Sequence, residues 1–290
     1  MIKRLTIIGV GLIGGSLALA LKKARAVGHI VGYGRNLQNL QKAQALGVVD
    51  AYETDIVAAV RDANVIVLAM PVGSTHAILQ SIKPHLSPNT IVTDVGSSKG
   101  AVEQAARQVF GNDLSNFVPG HPIAGTEKSG VEAAFSSLFE KRRVILTPLE
   151  NTDVTALRIV RDMWRNTGAL VEETSVEHHD HVLAATSHLP HMLAFALVDT
   201  LATLDDKVEI FRFAAGGFRD FTRIASSDPQ MWHDICVTND KAIVEMLDLF
   251  IDDLERLRNA IKSGDSDYLL QVFTRAKKAR DQFSMESQAS

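Results

Sequence analysis

Apolar and polar positions along the chain follow two rhythms. In the first part, short β-branched runs recur at Leu5–Gly9, Ile30–Tyr33, Val65–Met70, Ile91–Asp94, Phe117–Pro119 and Val144–Thr147. Runs this short and uniformly apolar read as strands buried on both faces of a parallel sheet. Segments with helical spacing separate them, among them Ser16–Lys23, Leu37–Leu46 and Ala101–Val109. The alternation predicts a doubly wound α/β sheet with right-handed crossovers. Ala156–Asn166 adds a helix and Ala169–Glu173 one more strand. After about Ser175 the rhythm is helical, over Glu177–Thr203, Glu209–Ile224, Pro229–Lys262 and Asp265–Phe283. Val244, Leu247, Phe250, Ile251, Leu254, Leu257 and Ile261 form a stripe at three- and four-residue steps, either a core face or a dimer face. The pattern predicts an α/β domain over residues 1–174 and an all-α domain over residues 175–290.

Composition narrows the function classes. The 290 residues carry 30 Lys+Arg against 34 Asp+Glu, a formal net charge of −4, which leaves no basic footprint for nucleic acid. No Lys/Arg run suggests a membrane surface, and no uninterrupted apolar stretch approaches the roughly 18 residues of a spanning helix. Cys236 is the one cysteine, so an intrachain disulfide framework and a Cys-pair zinc site are excluded. The chain opens on strand-like residues where a leader would place a basic and then an apolar region, so a cytoplasmic protein is expected. Ten histidines stand out, five of them between His178 and His191.

Residues 5–16 read LTIIGVGLIGGS, which puts Gly9, Gly11 and Gly14 in the G-x-G-x-x-G pattern between a strand and an apolar helix. The first glycine permits a tight turn, the second lets backbone approach a pyrophosphate, and the third allows close helix–strand packing. With both flanks correct, dinucleotide binding is expected, and the first domain becomes a Rossmann domain. Gly9, Gly11, Leu12, Ile13, Gly14, Gly34, Arg35, Asn36 and Pro71 form the expected cofactor set. An NAD-selective fold usually places Asp or Glu at the end of the second strand; here Gly34-Arg35-Asn36 stands instead. A 2′-phosphate would meet no repulsion there and could pair with Arg35, so NADP is favoured over NAD. The alternative is a solvated Arg35 and use of either nucleotide.

Three polar constellations fall where an α/β sheet presents ligands or in the helical half: Thr93–Lys99, Gly120–Gly130, and Ser187–His191 with Gly216–Arg223. His121, between Gly120 and Pro122, reads as a ring on a rigid turn with Ser97 a plausible partner. Histidine suits proton removal from a hydroxyl near neutral pH.

In order, GVGLIGGS, TDVGSSKG, PGHPIAGTEKSG, SHLPHMLAFAL and GGFRDFTRIASSDPQMWHDI resemble the prephenate (cyclohexadienyl) dehydrogenases of tyrosine biosynthesis, over nearly the whole chain. The resemblance implies oxidation of prephenate, arogenate or both, with loss of carbon dioxide. Loss of the proton from the 4-hydroxyl drives hydride to a nicotinamide, and the resulting dienone aromatises by decarboxylation. His121 falls on the family's catalytic histidine and Ser97 on the serine that positions it; Ser98 stands where many relatives carry Val. Arg223 falls on the arginine that binds the ring carboxylate, for which a bidentate guanidinium is suited. Arg219 implies a positive charge near the site, Thr126 and Glu127 the polar contacts and gate, and Trp232 a cover from the helical domain or a core residue. His188 and His191 fall near the anionic substrate, and Pro190 between them is expected to bend the helix and aim His191 into the cleft.

His178, His181, His188 and His191 are spaced so that one helix face could carry them, which invites a metal. No cysteine joins them and hydride chemistry needs none, so no metal is expected. A homodimer through the helical domain is implied, with no room for an appended mutase or regulatory domain. Two alternatives stay open: a two-domain β-hydroxyacid-type dehydrogenase, which would use a lysine in the second domain, and a non-catalytic NAD(P)-binding sensor.

Overall fold

The structure, a computed structural model, describes residues 1–126 and 128–289. Its first part alternates as β1 (Ile2–Ile8), α1 (Leu12–Lys23), β2 (Val27–Tyr33), α2 (Leu37–Ala45), β3 (Ala51–Glu53), α3 (Ile56–Val60), β4 (Val65–Leu68), α4 (Thr75–Ile82), β5 (Ile91–Asp94), α5 (Lys99–Phe110) and β6 (Phe117–Val118). Among the described residues these strands form a six-stranded parallel sheet in the order β3-β2-β1-β4-β5-β6. That is the Rossmann order, with its switch point between β1 and β4. The central strands are buried on both faces because helices cover each side. Leu5, Ile7, Val65 and Val67 point to one apolar cluster with Leu17 and Leu21 of α1, and Ile8, Ile66 and Leu68 to a second with Val102 and Ala106 of α5.

The sheet differs from the sequence reading at its far edge. β7 (Gly120–Pro122), β8 (Arg143–Leu146) and β9 (Leu170–Glu173) leave the parallel sheet and make a mixed one of their own, β7 antiparallel to β8 and β8 parallel to β9. α6 (Val154–Arg165) connects the last two. His121 is therefore the middle residue of a short strand, opposite Ile145, and not a ring on a turn. The proline at 119 ends β6 after two residues, and the chain re-pairs immediately in the other sheet.

The helical part begins with one continuous run: α7 (Val176–Leu183), a π-helical turn (Ala184–His188) and α8 (Leu189–Ala202). By length and mean hydropathy this run could cross a membrane, yet it carries buried His179, Asp180 and His188. α9 (Lys207–Arg212), α10 (Gly216–Thr222), α11 (Pro229–Thr238), α12 (Asp240–Ser263) and α13 (Ser266–Ala289) follow. The expected single helices over 209–224 and 229–262 are each broken, the second at Asn239, which caps α11 outside helical geometry. Met1–Ala242 forms one compact unit and Ile243–Ser290 a second. Within the second, Leu249, Ile251, Leu254, Ile261, Leu270 and Phe273 are exposed on the single chain.

One buried ion pair ties β5 to β7. Lys99, at the start of α5, is fully buried and pairs with Asp94 at the end of β5. Its Nζ also donates to the Gly120 carbonyl at 2.7 Å, and Asp94 Oδ1 accepts from the Gly120 amide at 3.1 Å. Both polar groups of the residue before His121 are thereby fixed. Removing one partner of a buried pair strands the other charge. Lys99→Met is expected to lower stability by about 3–5 kcal/mol, read as a lower urea midpoint at unchanged slope, and an unaltered midpoint would contradict the pairing.

Candidate active site

The glycine loop has the geometry its spacing promised. Gly9 has φ +97°, and a Cβ there would stand 2.5 Å from the Ala69 carbonyl oxygen. A Cβ on Gly14 would collide with the Gly9 carbonyl oxygen and Ile7. At Gly11, which caps α1 with no side-chain hydrogen bond to its amides, a Cβ would meet nothing. The first and third glycines are therefore demanded by packing, while the second faces open space at a helix N-terminus, as a pyrophosphate requires. Leu12 and Ile13 open α1, and Pro71 follows β4. Arg35 is exposed beyond β2, and Asn36 caps α2 by accepting from the Asn39 amide.

His121 lies beyond the carboxyl end of β5, buried, with its Nδ1 2.9 Å from His179 Nε2. His179 Nδ1 lies 2.7 Å from Asp180 Oδ1. The carboxylate only accepts, so a neutral His179 carries its hydrogen on Nδ1 and presents Nε2 as an acceptor. His121 must then donate from Nδ1, which leaves its Nε2 as a lone pair. Asp180 is anchored in turn, since its carboxylate accepts from the amides of Lys99 at 2.8 Å and Gly100 at 2.7 Å, at the N-terminus of α5. Burial would raise the Asp180 pKa, but the His179 hydrogen bond and the two amides outweigh it and hold it below the ordinary carboxylate value. His121 is pushed well below the ordinary histidine value, by burial first and then by electrostatic repulsion from His179, Lys99 and His188. The ring is a neutral base with one free nitrogen.

The remaining predicted residues fall into three groups. His188, His191 and Trp232 come together: His191 stacks on Trp232 at 3.8 Å between ring centroids, and His188 meets the same indole edge-on at 6.1 Å. Burial pushes His188 down to about 4, opposed by Asp180 and helped by His179 and His191. His191 is lowered by burial, opposed by its bond to the Ser187 carbonyl, and lowered further by the charge of Arg223. Arg223 is thus electrostatically close to this group, although it and Arg219 lie on exposed positions around α10. Ser97 is half-buried and makes no side-chain hydrogen bond among the described residues, whereas Ser98 is buried and accepts from Thr238 Oγ1 at 2.9 Å. Thr126 is exposed and accepts from the Lys128 amide; Glu127 lies outside the described residues.

The four histidines of the metal reading do not share a face, because His178 and His181 are exposed while His188 is buried. The helical run departs from α geometry in the π turn just before Pro190. Sequence reasoning passed over His179, Asp180 and Asn239. The only signal for the first two was a His-His-Asp run at the start of a helix, and its partners lie 58 and 81 residues away.

Comparison with known proteins finds matches along both parts of the chain. Residues 17–173 match the family model described as prephenate dehydrogenase, nucleotide-binding domain, and residues 175–275 the one described as prephenate dehydrogenase, dimerization domain. The chain is 40% identical over 280 residues to a cyclohexadienyl dehydrogenase of Zymomonas mobilis, covering 96% of this chain and 95% of that one. The fold superposes with a TM-score of 0.90 on a prephenate dehydrogenase from A. aeolicus in complex with hydroxyphenyl propionate and NAD+, at 38% identity and covering 98% and 99% of the two chains. It also matches a Synechocystis arogenate dehydrogenase with a TM-score of 0.81, at 30% identity over 97% and 99%.

Burial of His188 has a consequence for stability. Its folded pKa of about 4 lies below the ordinary 6.5, so between those values the unfolded chain binds the extra proton. The contribution is intact above about pH 6.5 and is lost as pH falls toward 4, by about 3 kcal/mol at most. Urea denaturation across that window is expected to show a steeper acid loss in the native sequence than in His188→Gln, and parallel curves would contradict it.

Proposed function

The chain belongs to the prephenate dehydrogenase family and is an NAD(P)-dependent oxidoreductase that couples oxidation to decarboxylation; from that premise we propose that His121 is its general base, held ready by His179 and Asp180. The observation that carries this reading is the chain of two hydrogen bonds from Asp180 through His179 to His121 Nδ1. It assigns the free lone pair to Nε2, the nitrogen that takes the proton from the ring hydroxyl of prephenate. As the proton arrives, His121 becomes an imidazolium whose Nδ1–H already points at His179, and the Asp180 carboxylate stabilises the charge through that ring. When bound, the nicotinamide cofactor supplies the hydride acceptor. The open backbone at Gly11, the amides of Leu12 and Ile13, the turn at Gly9, the close packing at Gly14 and Pro71 after β4 fit such a dinucleotide.

The other residues take roles that suit their chemistry. Ser97, half-buried with a side chain not engaged elsewhere, orients the hydroxyl beside His121. Arg223 binds the ring carboxylate, with Arg219 adding positive charge, and Thr126 contributes a polar contact. Trp232 packs His191 and closes His188 from solvent, a buried position that serves the site more than a core. The substrate is a small anion, prephenate, arogenate or both.

Four further readings belong to the same proposal. The chain divides into a nucleotide-binding domain at 1–174 and a helical domain at 175–290, which the spans of the two family models support. It pairs as a homodimer through the helical domain, for which the exposed Leu249, Ile251, Leu254 and Ile261 offer the apolar surface, and acts in the cytoplasm. NADP is preferred over NAD because exposed Arg35 stands where a ribose-binding carboxylate would otherwise repel the 2′-phosphate.

Two measurements test this reading. His121→Asn should cut turnover of prephenate by about 10²–10⁴ while cofactor affinity stays near that of the native protein; near-normal turnover would remove His121 from the mechanism. The ratio of kcat/KM for NADP to that for NAD should exceed one and fall in Arg35→Asp, and a strong native preference for NAD would refute the Arg35 argument.

A further inference from the structure

Asn239 has no part in the chemistry described so far, yet it is buried at the end of α11, at 6% exposure. Its side-chain nitrogen contacts two atoms, the Asp180 carbonyl oxygen at 3.0 Å and His188 Nδ1 at 3.2 Å. A carbonyl oxygen only accepts, so the Asn239 atom facing it is the amide nitrogen, and that nitrogen only donates. Its second hydrogen therefore goes to His188 Nδ1, which must accept. The hydrogen of a neutral His188 ring is left on Nε2.

The consequence appears on the other side of the ring. His188 Nε2 is buried with no hydrogen-bond partner among the described residues, and so is Trp232 Nε1, on the indole it meets edge-on. An indole nitrogen is a donor and never an acceptor. Two unpartnered donors buried in one corner would each cost about 1–3 kcal/mol if nothing met them. A ligand that carries acceptor oxygens can satisfy them.

We propose that Asn239 is a positioning residue that fixes His188 as an Nε2–H donor, so that this corner, with Trp232 Nε1, receives an acceptor-only oxygen of the substrate, a carboxylate or keto group. Burial keeps the ring neutral near pH 7, and the groups that face it are Asp180, His179 and His191. Neutrality matters because a doubly protonated ring could not accept from Asn239. The hydrogen-bond direction at His188 stands on geometry alone. The identity of the ligand rests on the dehydrogenase reading given above.

The test separates the two. Long-range proton–nitrogen NMR on full-length protein labelled with ¹⁵N-histidine reads the His188 tautomer directly. The native protein is expected to show hydrogen on Nε2. Asn239→Asp, which can accept at Nδ1, should move it to Nδ1. In prephenate turnover, Asn239→Asp should raise KM for prephenate roughly tenfold with kcat and cofactor KM within about threefold. The same change made in His188→Gln, whose amide donates without a tautomer, should add less than about threefold to KM. An Nδ1–H tautomer in the native protein overturns the proposal whether or not any variant folds. So does an Asn239→Asp effect on KM that persists undiminished in His188→Gln. Native protein that shows the Nε2–H tautomer but does not turn over prephenate would uphold the role of Asn239 at His188 and fail the functional reading instead.

Discussion

The Asp180 carboxylate is the constraint on which the site depends. It accepts hydrogen bonds from the first amides of α5, Lys99 and Gly100, and from His179, while its backbone carbonyl accepts from Asn239. A carboxylate without a proton can only accept, so every group around it is forced to donate. That one-way rule then propagates outward. His179 must carry hydrogen on Nδ1, His121 must donate to it, and the base nitrogen is left bare. Helix positioning, tautomer choice and proton acceptance are consequences of one buried negative charge that costs desolvation and recovers it in hydrogen bonds.

Electrostatics follow the same economy of charge. A protein of net charge −4 must nevertheless hold an anionic substrate beside a phosphate-bearing cofactor. It does so with local fields instead of overall charge. Lys99 is buried but neutralised by Asp94, so its residual effect is to make a proton on His121 less welcome, not to create a cationic cavity. The full positive charges, Arg223 and Arg219, stand on exposed positions of the helical part, where hydration keeps them charged without cost. The buried imidazole of His121 and the exposed guanidinium groups are thus kept in different dielectric surroundings.

How much of this was legible in the sequence depends on the range of each interaction. The glycine loop could be read because its whole logic is local: a strand, a turn with φ +97° at Gly9 and a helix start lie within consecutive residues. The strands β1, β2, β4 and β5 were legible for the same reason, being buried runs with one period. β3 was not, since its three half-buried residues carry no apolar signal. His121 was identified as a residue but its setting was misread, because the switch from the first sheet to the second is decided by pairing with β8, more than 20 residues later. His179, the neighbour that determines the protonation of His121, was invisible among five clustered histidines. Nothing in a run of identical side chains says which one faces a partner on another element.

The π turn explains why the clustered histidines separate into two useful sets. A regular α-helix turns about 100° per residue, which would put His179 and His188, nine residues apart, on opposite faces, about 180° from each other. A single π turn contains one extra residue and so takes about 100° out of that angle. His188 is thereby swung back toward the side occupied by His179 and Asp180, close enough for one asparagine side chain to touch both the Asp180 carbonyl and the His188 ring. Pro190, one residue into α8, has no amide hydrogen to offer the turn before it, which suits the departure from α geometry there. His178 and His181 lie before the π turn on the outer face and remain exposed. The same helical run therefore brings His179 to His121 and His188 to the asparagine that also holds the Asp180 carbonyl, which a strict 3.6-residue repeat would not do.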